Sequence, residues 1–446
     1  MALTKASYSM ITGAPVNILD FGAVGDGVTD DTLAIQAAID YVVANATPND
    51  LVFPEGTYKC SATIVVNVGF VSCIGQRAVL DFSTIGDIAA IQMIGGNFYF
   101  GEPYNQSDAV FSGFKIIGPS TLLASGITFD QNTVGGGPAH MIVRDCTITK
   151  FNNGLTFANN AYLITIEHCG IWECYRCVYK PSGSTNAGEN IRVNNSTLFN
   201  SEEGFKCDNG SANFNFVGTS FDGLLRSVII TSGQANFTGC HFEFAAIANV
   251  ALNISANCIV TCSGCFFINT FPGQDKYINN AGFLSIYGGR MAVADNATNV
   301  VYSTSRLNII GCHIQSTTAT PVTIASGSSM VYLANGGDLN VTNAITASSV
   351  SGRIVGGLGQ TVTCAVLNTY YNLGVGSSMG LFAFRDNSLG GTALFNTDTT
   401  TGATSIQNGI TGLEMRWDPT AGDMQIRVTS GAVPRAIAFA PFRVTV

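Results

Sequence analysis

An all-β solenoid of stacked repeats is what this sequence predicts, on three observations. From about residue 140 to 315 one short pattern returns: an apolar strand, a turn marked by Gly, Cys or Ser, and a second apolar pair. Its returns fall at Cys146, Cys169, Ser196, Thr219, Cys240, Cys265, Gly289 and Cys312, with spacings of 23, 27, 23, 21, 25, 24 and 23 residues. A fixed period of this size belongs to stacked repeats rather than to a closed globule. Helical periodicity is confined to one stretch near the N-terminus. Elsewhere short runs rich in Val, Ile, Phe and Thr alternate with Asn/Gly turns, as strands do. Finally, the 446 residues are 46% hydrophobic and only 11% charged, with 50 Gly. That composition suits an interior lined by continuous apolar ladders.

The elements follow in order. Residues 1–15 are a polar leader. Residues 16–21 read as a strand and 22–28 as a glycine-rich loop. A helix is expected from Thr29 or Asp30, with Leu33, Ile35, Ala38, Ile39 and Val42 as its apolar stripe. Asp30 and Asp31 suit its N-terminal dipole, and Asp26, Asp30 and Asp31 are assigned loop and N-cap duty rather than a metal. Residues 51–53 form a short strand before the turn at 54–57, and the repeats then run to about 358. Insertions at 99–108, 131–138, 180–190 and 270–282 should project from one side. The cadence stops at Gly356-Gly357-Leu358-Gly359. Strands at 381–384, 393–395, 413–417, 424–428 and 436–439 then read as a small antiparallel β module. The expected division is 1–50, 51–358 and 359–446.

Composition excludes several function classes. The net charge is −9 and no Lys/Arg run occurs, which argues against a nucleic-acid partner. No apolar stretch approaches the ~20 residues of a membrane span, and no signal-peptide apolar region is legible at the N-terminus. Cys174/Cys177 and Cys262/Cys265 have metal-like spacing. However, Cys169, Cys240, Cys265 and Cys312 hold one repeat position, so an inward ladder of reduced thiols is the expectation, with no metal and no cofactor.

Aligned repeats place one outward residue after each apolar pair: Thr149, Trp172, Phe199, Asp222, Glu243, Ile268, Ala292 and Gln315. Asp222 and Glu243 thus fall on adjacent rungs, the arrangement that a general acid beside a base or nucleophile requires. Trp172 and Phe199 precede them as an aromatic platform, against which sugar C–H faces pack. A second column holds Asn153, Arg176, Glu203 and Arg226. It reads either as a surface ion ladder or as a groove wall, with Glu202 or Glu203 beside Asp222 and with Arg176 and Arg226 binding an acidic sugar. Asp208 is a further candidate on that rung, and Tyr175 lies beside Arg176. His241 and His313 share a repeat position next to turn residues and are expected to be structural.

The N-terminal stretch carries a resemblance. It runs Val16-Asn17-Ile18-Leu19-Asp20-Phe21-Gly22-Ala23-Val24-Gly25-Asp26-Gly27, then Thr29-Asp30-Asp31-Thr32, Ala34-Ile35-Gln36-Ala37-Ala38-Ile39 and Val52-Phe53-Pro54-Glu55-Gly56-Thr57-Tyr58. This resembles the start of the pectate-lyase-like right-handed parallel β-helix superfamily. Within it, the leader Lys5-Ala6-Ser7-Tyr8-Ser9-Met10-Ile11 and the run from Gly412 to Arg435 resemble bacteriophage tailspikes. The resemblance implies a right-handed parallel β-helix with an N-terminal capping helix, a C-terminal module for trimerisation or carbohydrate binding, and a homotrimer. It implies a virion-tail protein that cleaves a bacterial surface polysaccharide, with the leader docking on another tail protein. The expected chemistry is glycoside hydrolysis by Glu243 and Asp222, with Glu203 and Glu202 in reserve. Three alternatives are a lyase using Arg176, Arg226 or Tyr175 as base, a receptor-binding spike without catalysis, and a structural tail component.

Overall fold

The computed structural model describes residues 14–45, 49–95, 109–131, 137–244, 250–269, 276–293, 299–315, 322–324 and 331–332, and eight strands between 360 and 442. The chain forms two units, Met1–Ala347 and Ser348–Val446.

In the first unit every paired strand runs parallel to its partner on the next coil, so the chain is a parallel β-solenoid. Each coil contributes three strands to three ladders. The first ladder stacks Val143, Ile166, Val193, Phe216 and Phe237. The second stacks Ile148, Ile171, Leu198, Phe221, Phe242, Phe267, Met291 and Ile314. The third stacks Leu155, Val178, Phe205, Val228 and Leu252. These inward residues are buried. Like side chains pile on like: the rings of Phe221, Phe242 and Phe267 stack at 4.7 Å steps.

The cadence has a physical cause at the corner between the first two ladders. Asp145, His168, Asn195, Gly218, Gly239, Gly264, Gly288 and Gly311 all stand there with φ between 47° and 66°. This left-handed conformation is open to Gly and tolerated by Asn and Asp. The next residue points inward and is small. Cys240 Sγ faces the Phe216 and Thr238 carbonyls at 3.4 and 3.6 Å, while Thr219 Oγ1 donates to Val193 and Val217. Cys, Ser and Thr alternate there because each is small enough to point inward and supplies a short donor to carbonyls of its own and the preceding coil. All twelve cysteines with described side chains are unbridged and buried. Burial pushes the Cys174 thiol up to about 12, so within the core it stays a protonated, weakly donating group.

The N-terminal elements depart from the expected ones. Only Val16–Asn17 is strand; Ile18–Phe21 is a 3-10 turn. Residues Asp26–Asp30 are extended and pair with Gly56–Lys59, so the helix begins two or three residues late and spans Thr32–Ala44. Its buried stripe is Ile35, Ala38, Ile39 and Val42, whereas Leu33 is 84% exposed. The acids act as fasteners: Asp26 accepts from the Val28 and Thr29 amides, Asp30 from Thr32 and Ser61, and Asp31 from the Val24 and Gly25 amides. Asp31 thereby turns away from the helix it precedes. Gln36 reaches the free edge of strand Ile64–Asn67, accepting from Val65 N–H and donating to its carbonyl. This satisfies an edge that another coil would otherwise pair.

Of the expected insertions, 99–108 and most of 131–138 lie outside the described residues, as does the first half of 270–282; the 356–359 hinge lies outside them too. In the second unit Gln360–Cys364, Gly380–Asp386, Thr392–Asp398, Gly402–Asn408 and Arg435–Phe442 form one antiparallel sheet. Tyr371–Asn372, Leu413–Asp418 and Asp423–Val428 form another.

Candidate functional site

The second ladder carries the outward column in unbroken register: Thr149, Trp172, Phe199, Asp222, Glu243, Ile268, Ala292 and Gln315 are successive partners. Thr149 alone departs from the expectation of exposure, being 4% accessible. The Trp172 and Phe199 rings lie 4.8 Å apart at 32°, a tilted platform two rungs long. Asp222 and Glu243 follow on the next two rungs. Alternation also brings Ser220 and His241 onto this face, two residues earlier on each strand. Ser220 donates to Asp222 Oδ1 at 2.9 Å. One ligand atom each from Asp222, His241 and Glu243 lie within 4.8 Å of one another.

His241 is the member that the repeat alignment assigned to structure. The signal was present, since a residue two before Glu243 must share its face. His241 also rests on Phe266 at 5.4 Å between ring centroids, while its Nε2 is buried without a hydrogen-bond partner. Asp222, His241 and Glu243 are the described residues spaced to share a divalent cation.

Beyond this column the chain turns a second corner through Lys150, Glu173, Asn200 and Gly223, all with positive φ. An open groove of about 650 Å³ follows the corner, lined by these four with Ser120, Leu122, Tyr175, Glu202 and Leu225 among others. It therefore borders the strands that hold Trp172, Phe199 and Asp222, one residue away in sequence. Tyr175 and Glu202 face it.

The third ladder stacks Asn153, Arg176, Glu203 and Arg226 in register. Here the ion-ladder alternative describes the geometry. Glu203 has a side chain only 3% exposed; it accepts from Arg176 Nε at 2.8 Å and pairs with an Arg226 terminal nitrogen at 3.2 Å. Arg226 also donates to Glu202 at 2.6 Å. The Arg176 guanidinium lies 4.7 Å from the ring centroids of both Tyr175 and Tyr179. A carboxylate held by two guanidinium groups is poorly placed to exchange protons with a substrate, and the two arginines are committed inside the chain. Asp208 is held by Lys206 at 3.5 Å and Thr231 at 2.6 Å, and it does not line the groove.

Comparison with known proteins fits the coil geometry. Residues 15–115 match the family described as rhamnogalacturonase A/epimerase, pectate lyase-like. Mannuronan C5-epimerase AlgE5 of Azotobacter vinelandii is 56% identical over 45 residues, 10% of this chain and 4% of that protein. A glucan 1,3-beta-glucosidase of Cochliobolus carbonum is 30% identical over 198 residues, 37% of this chain and 25% of that one. The chain thus spans a quarter or less of the length of these curated relatives. Among solved structures, the enzymatically active domain of bacteriophage CBA120 tailspike protein 4 superposes with a TM-score of 0.55. That likeness covers 96% of this chain and 67% of the other at 13% identity. The Dettilon tailspike protein gives 0.53, covering 95% and 93% at 14% identity. The class shown is therefore a parallel β-helix, whose residues 15–115 match a pectate-lyase-like family model. Along nearly its whole length the chain has the fold of these two phage tailspikes.

Proposed function

We propose that the protein is a phage tailspike that binds a bacterial surface polysaccharide and cleaves it by endo-glycoside hydrolysis at Asp222 and Glu243. The observation that carries this is the pair itself, two carboxylates on adjacent rungs with oxygens within 4.8 Å, at the end of the Trp172–Phe199 platform. Ser220 fixes one Asp222 oxygen, which leaves the other to attack the anomeric carbon. Glu243 is exposed and suits proton delivery to the leaving oxygen, then activation of water. Oxygens within 4.8 Å favour the retaining arrangement, whose carboxyl groups stand ~5–5.5 Å apart, over the inverting one at ~6.5–9.5 Å. His241 stands within reach of both carboxylates and would orient them. Two relatives are named for a polysaccharide, an epimerase for mannuronan and a glucosidase for glucan, and two tailspikes share the fold; both likenesses support the reading.

The wider assignment follows the tailspike likeness. The coil is right-handed, as parallel crossovers are, and residues 51–358 form its body. The helix within 1–50 serves as its cap. Residues 359–446 serve trimerisation or carbohydrate binding in a homotrimer whose coils lie side by side. The N-terminus docks on other tail proteins, the protein sits on the virion tail, and catalysis needs no cofactor. Glu203 is assigned a positioning role and Glu202 a place at the groove edge. For the lyase alternative, Arg176 and Arg226 are already paired within the chain, which leaves Tyr175 at the groove as its base.

The test uses Asp222→Asn and Glu243→Gln on the polysaccharide of the phage's host, with polymer length read by size-exclusion chromatography. Each variant should fold and cut at least about 100-fold more slowly. Wild-type cutting by both would remove the pair from the mechanism. Binding without any shortening by the unmodified protein would favour a receptor-binding spike.

A further inference from the structure

We infer that the corner groove seats an uncharged sugar unit, so that the polysaccharide recognised there carries no carboxylate on the unit lying between Lys150, Glu173 and Glu202. The inference rests on reading this corner as the glycan site. The groove runs along the coil axis, so consecutive rungs present equivalent positions to consecutive parts of a chain. Its charged lining is Glu173, Lys150 and Glu202, the last already paired with Arg226, so the lining itself offers no net positive charge. Lys150 has no carboxylate partner among the described residues.

A bidentate grip on a uronate needs a free guanidinium fork, whereas Lys150 supplies only a point charge, offset by the acids around it. The two forks beside this groove are occupied. Arg226 is bonded to Glu202 at 2.6 Å and Glu203 at 3.2 Å, and Arg176 is bonded to Glu203 at 2.8 Å. Recruiting either for a ligand would strand Glu203, whose side chain is 3% exposed. Asp222 and Glu243 add two more negative groups on the adjoining column. An anionic sugar would therefore meet a field of the wrong sign at short range, where solvent screens it least. A neutral sugar meets what the groove supplies: the amide of Asn200 and phenol of Tyr175 for hydroxyls, and Leu225 for a C–H face.

The experiment is an array of purified bacterial capsular and O-antigen polysaccharides, sorted by whether the repeat unit is uncharged or bears a carboxylate. It is probed with the full chain and with Leu225→Trp, which projects a ring into the groove. Ser120→Trp at the exposed rim serves as a second blocking variant if the first fails to fold. The expected result is capture of uncharged repeats, changing less than about twofold between low and high salt and falling at least tenfold in a folded blocking variant. Capture confined to carboxylate-bearing repeats, weakened by salt, would overturn the inference while leaving depolymerisation intact. So would neutral binding that both folded blocking variants retain. Neutral binding lost in the variants, but with no shortening of the polymer, would uphold the groove and overturn the hydrolase reading. No capture by any polymer would overturn both.

Discussion

Asp222 and Glu243 are direct partners on neighbouring parallel strands, 21 residues apart in sequence, with side-chain oxygens within 4.8 Å. The contact follows from the coil register alone. No loop or domain closure is needed to assemble it.

The stereochemistry of cleavage tests that spacing. Carboxylates this close leave no room for a water between acid and nucleophile, so the product anomer should initially keep the configuration of the substrate. Proton NMR of the first reducing ends released reads this directly. Inverted product would require the two groups to act at a wider separation.

The aromatic platform should contribute to binding and not to the chemical step. Trp172→Ala removes the ring that packs on Phe199 and should raise KM about 3- to 10-fold with kcat nearly unchanged. A fall in kcat with KM unaltered would place Trp172 in contact with the reacting atoms instead.

The Arg176–Glu203 pair makes a stability prediction. Arg176→Ala leaves a nearly buried carboxylate with Arg226 as its remaining partner, and should cost about 3 kcal/mol in chemical denaturation. Arg176→Met with Glu203→Leu removes both charges and should recover most of that loss. If the double variant is as unstable as the single one, the apolar packing around the pair, rather than its charge, dominates.

Lys180 supplies a pH test. It is fully buried among inward-facing residues, its Nζ has no hydrogen-bond partner, and burial lowers its pKa from 10.5 to about 8. Below pH 8 the folded chain must hold a charge it solvates poorly. Between pH 8 and 10.5 the unfolded chain binds more protons, so this penalty disappears as pH rises. Lys180→Met should therefore be more stable than the parent by about 3 kcal/mol at pH 7. The advantage should shrink toward pH 10.5, as followed by denaturant midpoints at each pH. A constant difference across that range would assign the effect to packing.

The corner column predicts a pure backbone effect. A side chain at Gly264 would meet nothing within 4 Å, yet its φ is +61°. Gly264→Val should cost about 1–2 kcal/mol, while Gly264→Asn should cost less, because Asn195 already occupies the equivalent corner at φ 47°. Equal losses from both would point to a contact rather than to the dihedral.

Much of this was legible beforehand because a solenoid repeats its own geometry. The period named the rungs, and alternation along each strand named the faces, so the column from Trp172 to Gln315 needed no coordinates. The sequence pattern puts the N-terminal helix start two or three residues before its place at Thr32. Asp30 and Asp31 look like helix-capping acids in sequence; Asp30 does hold the Thr32 amide while also accepting from Ser61, and the fold turns Asp31 toward the Val24 and Gly25 amides. Leu33 is exposed because a two-residue step from Ile35 carries it to the other side of the helix.

Sequence by itself determined the coil, its register and the adjacency of Asp222 and Glu243, since stacking converts a period into a spatial neighbour. Tertiary structure alone decided the chemical state of each side chain. It buried Glu203 between Arg176 and Arg226, opened the groove at Glu173 and Glu202, and set His241 beside the acid pair. Those outcomes depend on rotamers and on how tightly a corner turns. Distances of an ångström or two separate a bound ion pair from a free base there, and a residue pattern does not carry that scale.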